Sequence, residues 1–334
     1  MKKSLVALAV LAASGAAMAQ SSVTLYGVAD LWFGSVNNDN GTTSLTQTLL
    51  ESGGVNTSRW GLKGSEDLGG GLKANFNLQQ GIKLDDGSAS VATLAFNRQS
   101  WVGFSGGFGA VRLGRTTTAF DDVSGTSDAV LDSKLAPMGY VFKSTLYSAR
   151  QNNMFYYQAP DFGGFSGAIS YALGEDKTAT TSATSTTSLN LTYAGDPVTA
   201  QLGYQVEDVI NAVGQGDKNY FRLGGTYAFG PAVAKLTYGK AGNISNVDGA
   251  DATEWQLGVD YVLSPALVLT GSLAQSSDNA KACDFTRKGF GLAAKYIMSK
   301  RTFLYGGYEA DTTTKTNVAD QKHSVLAVGV QHNF

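Results

Sequence analysis

The 334-residue chain has one cysteine, five prolines and two histidines, and only 16% of its residues are charged, against roughly 25% in an ordinary soluble domain. The lone Cys283, in a long polar connector, excludes an internal disulfide framework and a cysteine-rich zinc site. A formal net charge of −2 offers no bulk attraction for nucleic acid. No stretch approaches the about 18 consecutive apolar residues of a membrane-spanning helix, so a helical membrane protein is excluded. Glycine is abundant at 41 residues, but scarce proline argues against collagen, and 16 Phe with 15 Tyr argue against disorder.

At the N-terminus, Lys2 and Lys3 precede an apolar run from Leu5 to Ala13 that ends in Ala17-Met18-Ala19. This reads as a secretory signal cleaved before Gln20, so residues 1–19 are expected to leave and residues 20–334 to form one domain. Cleavage removes two of the 25 basic residues, leaving 23 against 27 acidic.

The remaining chain alternates with period 2, the signature of strands with two unlike faces. Trp255, Leu257, Val259 and Tyr261 share one face, with Glu254, Gln256 and Asp260 on the other. Near the C-terminus Leu326, Val328, Val330, His332 and Phe334 oppose Gln331 and Asn333. Sixteen strands are expected, the first near Val23–Val36 and the last near His323–Phe334. Tight turns such as Gly106–Gly109 and Phe229–Pro231 alternate with longer polar connectors such as Asn37–Val55, Asp208–Asn219 and Thr312–Lys322. A soluble sandwich would share the alternation, but export, alternating turn lengths and strands of spanning length favour a membrane barrel. The fold expected is all-β: a 16-stranded antiparallel transmembrane barrel, wide enough for a water channel.

The chain resembles the general-diffusion porins of Gram-negative outer membranes, above all in Ser22–Gly27 (SVTLYG), Ser58–Gly69 (SRWGLKGSEDLG), Arg98–Phe104 (RQSWVGF), Gly109–Arg115 (GAVRLGR) and the terminal Phe334. The resemblance implies a homotrimer in outer-membrane lipid that passes ions and small hydrophilic solutes without catalysis or cofactor. It implies further that the third external loop folds into the lumen, its carboxylates facing basic residues on the wall. Phe334 resembles the C-terminal signal read by the barrel-insertion machinery.

The residues fit that implication. Thr117–Thr145 is the longest connector, and unstructured loops of that length are uncommon unless functional. It carries Asp121, Asp122, Asp128 and Asp132, with Lys134 and Lys143 its only bases. Asp128 and Asp132 are the preferred lumen-facing pair; Asp121 and Asp122 adjoin, so opposite orientations are open to them. The loop lacks the Pro-Glu-Phe-Gly type of sequence seen in some relatives. On the wall, Arg59 opposes Trp60 and Leu62; Arg98 is in phase with Ser100 and out of phase with Trp101; Arg112 alternates with Val111 and Leu113, and Arg150 with Phe155 and Tyr157. All four are expected to point inward, because an arginine facing lipid is costly. Arg115 has the opposite parity to Arg112 and belongs past the strand end or at a subunit contact. Small outward positions at Gly27, Ala29 and Gly103 suit subunit packing.

Other motifs weigh little. Gly289–Ala294 fits G-x-G-x-x-A but lies within a strand and opens no helix, against dinucleotide binding. His323 and His332, nine residues apart, face opposite sides of a strand and share no metal; neither stands beside a nucleophile in recognisable context. No catalytic, metal or cofactor residues are assigned. The alternative function is a substrate-specific porin for a sugar or small organic acid, which an aromatic ladder in the lumen would mark. Tyr26, Trp32 and Tyr305 are candidates for the inner face but form no evident ladder.

Overall fold

The computed structural model describes residues 22–211 and 214–334; the leader expected over residues 1–19 lies outside them. Strands occupy β1 (Ser22–Asp39), β2 (Ser44–Ser52), β3 (Arg59–Gly69), β4 (Leu72–Gly81), β5 (Gln99–Gly106), β6 (Gly109–Thr117), β7 (Arg150–Gln158), β8 (Phe165–Leu173) and β9 (Ser185–Ala194). They continue with β10 (Val198–Asn211), β11 (Gly214–Phe229), β12 (Ala232–Gly242), β13 (Ala252–Ser264), β14 (Leu267–Asp278), β15 (Thr286–Ile297), β16 (Thr302–Lys315) and β17 (Val318–Asn333). From β3 onward each strand pairs antiparallel with the next, and β17 returns to β1 from Val28↔Asn333 to Asp39↔Lys322. The sheet therefore closes and leaves no long edge for another chain to pair with.

The expected sixteen staves are present because β2 and β3 are two halves of one. β1 pairs with β2 over Leu31–Asp39 and with β3 over Ser22–Val28. The break between them is held by Asp30, whose fully buried carboxylate accepts from the backbone N–H groups of Gly54 (2.9 Å), Val55 (3.1 Å) and Asn56 (2.9 Å) and from the Tyr305 hydroxyl (2.6 Å). A buried carboxylate this fully satisfied is a structural fixture.

Alternation sets the two faces as the sequence implies. Leu257, Leu273, Leu292, Leu326 and Val328 stand exposed on the outside, more than half of each side chain uncovered, as a lipid-facing band requires. At the closing seam, Phe334 and Gly27 exchange backbone hydrogen bonds of 3.0 and 3.1 Å. The Phe334 ring lies over Gly27, where a Cβ would stand 2.3 Å from a ring carbon. Only glycine fits under that ring. Gly103, expected outward, instead shares the inner side with Trp101, opposite exposed Val102 and Phe104.

Several connectors expected to be long and polar are mostly strand. β1 and β2 leave residues 40–43 as their turn, and β16 and β17 leave residues 316–317. Beyond the lipid band both faces of a hairpin meet water, so these extensions carry no hydrophobic alternation to reveal them. Residues 118–149 do form an extended connector, with short helices α1 (Asp121–Ser124) and α2 (Met138–Val141) around a 3-10 turn at Val130–Asp132. It folds inside the barrel. Ala129, Val130 and Leu135 pack with inward Trp32, Ala293 and Tyr305 in one buried cluster, and Met138, Val141 and Phe142 pack with Ala274 in another.

Candidate pore constriction

The long loop is fastened along one half of the inner wall. Its backbone N–H groups at Ala119, Phe120 and Val130 donate to the hydroxyls of Ser170 on β8 (3.1 Å), Ser188 on β9 (2.9 Å) and Thr270 on β14 (2.8 Å). Ser127 bonds Thr237 on β12 at 2.8 Å, and the Ser276 hydroxyl on β14 donates to Val141 O at 2.7 Å. The returning arm is held by acidic wall residues: Thr145 N–H donates to Glu254 (3.2 Å), Ser144 Oγ to Asp278 (2.6 Å) and Ser148 N–H to Glu207. Polar inward positions on β8 to β14 therefore serve as hooks for backbone that has no sheet partner.

Three wall cations seat the same segment. Arg222 donates to Ser124 O at 3.1 Å and lies 3.5 Å from Glu254; its guanidinium stands over the rings of Phe120, Phe142 and Tyr147 at 5.4 to 5.9 Å. Lys235 donates to Asp128 O at 2.9 Å and pairs with Asp260 at 2.8 Å. Arg287 makes a forked pair with Asp278 at 3.0 and 3.1 Å. None of these residues stood out in the sequence, because an inward charge on an alternating strand looks alike whether it is paired or bare.

The facing half of the wall carries the expected arginines. Arg59, first in β3, donates to Thr57 O at 2.9 Å. Arg98, just before β5, donates from Nε to Gln79 Oε1 at 3.0 Å, and Gln79 in turn bonds the Tyr26 hydroxyl. Arg98 reaches the lumen for a reason other than the one its phase suggested. Trp101, not Ser100, is on the inner side, opposite Asn77 and with the Arg112 guanidinium 5.4 Å over its ring. Arg98 precedes the strand, after the positive φ of 51° at Phe96 breaks the alternation, and its side chain turns inward from there. Its pKa is pushed down to about 10 by burial first, then by the charges of Arg150 and Arg59, against a smaller pull from Asp121. Arg59, Arg98 and Arg150 therefore form one mutually repelling cluster. The Arg150 Nε is buried with no hydrogen-bond partner among the described residues.

Arg112 also faces the lumen, its guanidinium 4.7 Å over the Tyr156 ring. Arg115 meets this group only through the charge of Arg150. It stands at a register shift in β6, paired with outward Ser100, and is held by Asn97 O (2.6 Å) and Asn152 Oδ1 (2.7 Å).

The four aspartates divide differently from expectation. Asp121 accepts from the Tyr147 hydroxyl at 2.9 Å and is the carboxylate whose charge reaches Arg98 and Arg150. Burial raises its pKa, opposed chiefly by Arg150. Asp122 accepts from Thr117 at 2.7 Å and from the Tyr156 hydroxyl. Asp132 is exposed and lines a cavity with Gly53, Thr57 and Tyr140; its pKa is raised by burial of the loop and by Asp121. Asp128, expected to face the lumen with it, does adjoin the Asp132 carboxyl but is 3% exposed. It is pressed against the far wall, where burial and then Asp132 hold its carboxyl well above the usual range. The reason is Val130: seating that side chain in the apolar cluster turns the preceding turn of chain toward β12. The lumen-facing acids are thus Asp121 and Asp132. Tyr26, Trp32 and Tyr305 are all inward, but Trp32 and Tyr305 lie beneath the loop and form no ladder.

A family model described as Gram-negative porin matches residues 4–316. Outer membrane porin protein 32 of Delftia acidovorans is 47% identical over 184 residues, 53% of this chain and 51% of its own. An outer membrane porin protein of Bordetella pertussis is 32% identical over 243 residues, 65% of this chain and 62% of its own. The chain thus spans about half to three-fifths of the length of these curated relatives. Among solved structures, the anion-selective porin from Comamonas acidovorans superimposes with a TM-score of 0.82 at 28% identity, over 94% of this chain and 100% of that one. A Vibrio cholerae OmpT lacking loop L8 shares the fold at a TM-score of 0.71 and 16% identity, over 94% of this chain and 99% of that one. With the closed sixteen-stave barrel, these likenesses show that the chain belongs to the Gram-negative porin family of outer-membrane proteins.

Proposed function

We propose that the protein is a water-filled channel for passive diffusion of ions and small hydrophilic solutes across the outer membrane, with residues 118–149 as its constriction and a preference for small anions. The observation that carries this reading is the cluster of Arg59, Arg98 and Arg150. Among the described residues no carboxylate oxygen lies within 4.0 Å of their guanidinium groups, while burial raises the pKa of the loop's Asp121 and Asp132. Clustered side-chain charge of one sign sets ion preference in a narrow aqueous passage. The anion-selective name of the Comamonas structure supports the same sign. Single-channel recording in a salt gradient tests it: the reversal potential should report chloride as the more permeant ion, and a cation-selective potential would reject the reading.

The adjacent arginines also favour a second reading, a preference for small organic acids, since guanidinium groups recognise carboxylates through paired hydrogen bonds. Block of the chloride current by low concentrations of a dicarboxylate would distinguish it from a general anion pore. We further read the protein as a homotrimer, packed through outward small residues such as Ala29. Its insertion is read as directed by Phe334, and its leader as residues 1–19. Detergent-corrected light scattering checks the trimer, and N-terminal sequencing of the mature protein checks cleavage before Gln20. Deleting Phe334 should remove the ring over Gly27 and sharply lower folded barrel without blocking export; normal heat-modifiable barrel in that deletion would refute the signal.

A further inference from the structure

We propose that Glu309, Asp311 and His323 form a binding site for a divalent transition-metal ion of the zinc class, at the point where the lumenal loop rests on the barrel wall. Glu309 and Asp311 stand two residues apart on the inner face of β16, and Asp311 is the register partner of His323 on β17. Their donor atoms all lie within 4.8 Å of one another. His323 Nδ1 is 3.3 Å from Glu309 Oε2 and 3.1 Å from Asp311 Oδ2. Around a tetrahedral zinc with bonds of about 2.0–2.1 Å, neighbouring donors stand about 3.4 Å apart, so a small inward adjustment suffices.

The second observation is the state of Glu309. Its side chain is fully buried, and among the described residues neither carboxylate oxygen has a hydrogen-bond partner, its one neighbouring cationic group being the His323 imidazole at 3.3 Å. The Nδ1 of His323 forms its hydrogen bond with Asp311 instead. A buried carboxylate with no donor is strongly unfavourable unless a cation compensates it. Among the described residues no lysine or arginine pairs with it, and the His323 imidazole beside it is shared with Asp311. An ion bonded to Glu309, Asp311 and the imidazole would satisfy it and leave a fourth position open, with His323 shedding its proton on binding.

The site is reachable: Asp311 and His323 line a cavity of about 620 Å³. Lys143 and Lys322 line the same cavity, so loosely held hard cations are repelled and binding has to come from coordination. An imidazole donor selects zinc, copper or nickel over magnesium and calcium. The consequence falls on the loop. Tyr140, on α2, stacks on the His323 ring with centroids 4.3 Å apart and planes at 29°. A metal that fixes this ring fixes the platform under α2.

Calorimetric titration of the intact, detergent-solubilised barrel with ZnCl2, and Co2+ absorption as a geometric probe, test the proposal. One Zn2+ per chain is expected, with affinity lowered at least about tenfold by Glu309→Gln and by His323→Ala, since losing a ligand should cost no less than losing its outer partner. Co2+ should give the intense visible bands of a four-coordinate site, absent in His323→Ala. Heat-modifiable mobility verifies that each variant is folded, and Asp311→Asn replaces any that is not. No Zn2+ binding to the wild type, binding unchanged in both variants, or Ca2+ and Mg2+ binding as tightly as Zn2+ would each overturn it.

Discussion

The two halves of the lumen hold similar side chains and use them oppositely. On β11 to β15, Arg222, Lys235 and Arg287 each have a carboxylate within 2.8 to 3.5 Å, and the long loop covers them. On β3 to β7, among the described residues, Arg59, Arg98, Arg112 and Arg150 have none within 4.0 Å, and the charges of Arg59, Arg98 and Arg150 act on one another. Paired charges in a covered wall are structural: they fasten the loop. Unpaired charges on the uncovered wall retain a field that reaches about 8 Å at 0.15 M salt. The loop creates the distinction, because it chooses which wall to cover.

The largest effect should come from breaking the covered wall. Arg222→Ala strands Glu254, which is 0% exposed, and removes the seat for Ser124 and three loop rings. Removing one partner of a buried pair costs about 3–5 kcal/mol. The variant should lose heat resistance on electrophoresis, and protease should cut its loop while the barrel persists. Replacing both partners with apolar residues (Arg222→Leu with Glu254→Leu) should recover much of the loss, because no charge is left stranded. Unchanged heat resistance in Arg222→Ala would show that the pair does not hold the loop.

Breaking the bare wall should spare stability and move selectivity. Arg59→Ser with Arg98→Ser removes two of three clustered cations and relieves their repulsion, so the barrel should fold normally. The reversal potential in dilute salt should shift toward cations and the conductance should rise as two long side chains leave. Both charge effects should fade in 1 M salt, where the Debye length is about 3 Å. A reversal potential that stays put would remove the constriction role from this cluster while leaving the fold intact.

The barrel was legible in the sequence because lipid imposes a strict rule on every second residue, and Leu257, Leu326 and Val328 obey it. Arg59 and Arg112 were legible for the same reason. Where a strand is interrupted, the rule lapses. Arg98 follows a backbone break at Phe96, so its phase misled about Trp101; Gly103 was misplaced with it. Asp30 was invisible as the pin of the β2–β3 bend, since its donors are backbone groups some 25 residues on. Loop residues had no period to read at all. Position in the loop could not tell Asp121, within reach of the arginines, from Asp128, pressed against the other wall. Nor could spacing alone suggest Glu309 and Asp311 as companions of His323, because the register between β16 and β17 brings them together.

A subtler effect should follow from the loop's two lumen-side carboxyls. Burial is the main cause raising both Asp121 and Asp132, so each takes up its proton at a higher pH than an ordinary carboxylate near about 4. Acidification therefore strips negative charge from the loop while the arginines stay charged. Anion preference should strengthen as pH falls from about 7 toward about 4. Asp121→Asn with Asp132→Asn should show that stronger preference already at neutral pH and lose the dependence. A pH response that survives in the double variant would have to come from other groups.

The smallest effect separates Asp128 from those two. Its carboxyl is held well above the usual range by burial and by Asp132, and it contacts the covered wall through Lys235 and its neighbour Gln256. The Lys235 bond goes to the backbone carbonyl, which no side-chain change removes. Asp128→Asn keeps the shape and gives up a charge that burial already disfavours, and an amide nitrogen can donate to the unpartnered Oε1 of Gln256. Stability should therefore change little or improve slightly, and the reversal potential should stay where the wild type puts it. If Asp128→Asn shifted selectivity as far as Asp132→Asn does, burial would not be keeping the Asp128 carboxyl out of the pore's field, and the covered half would be contributing to it after all.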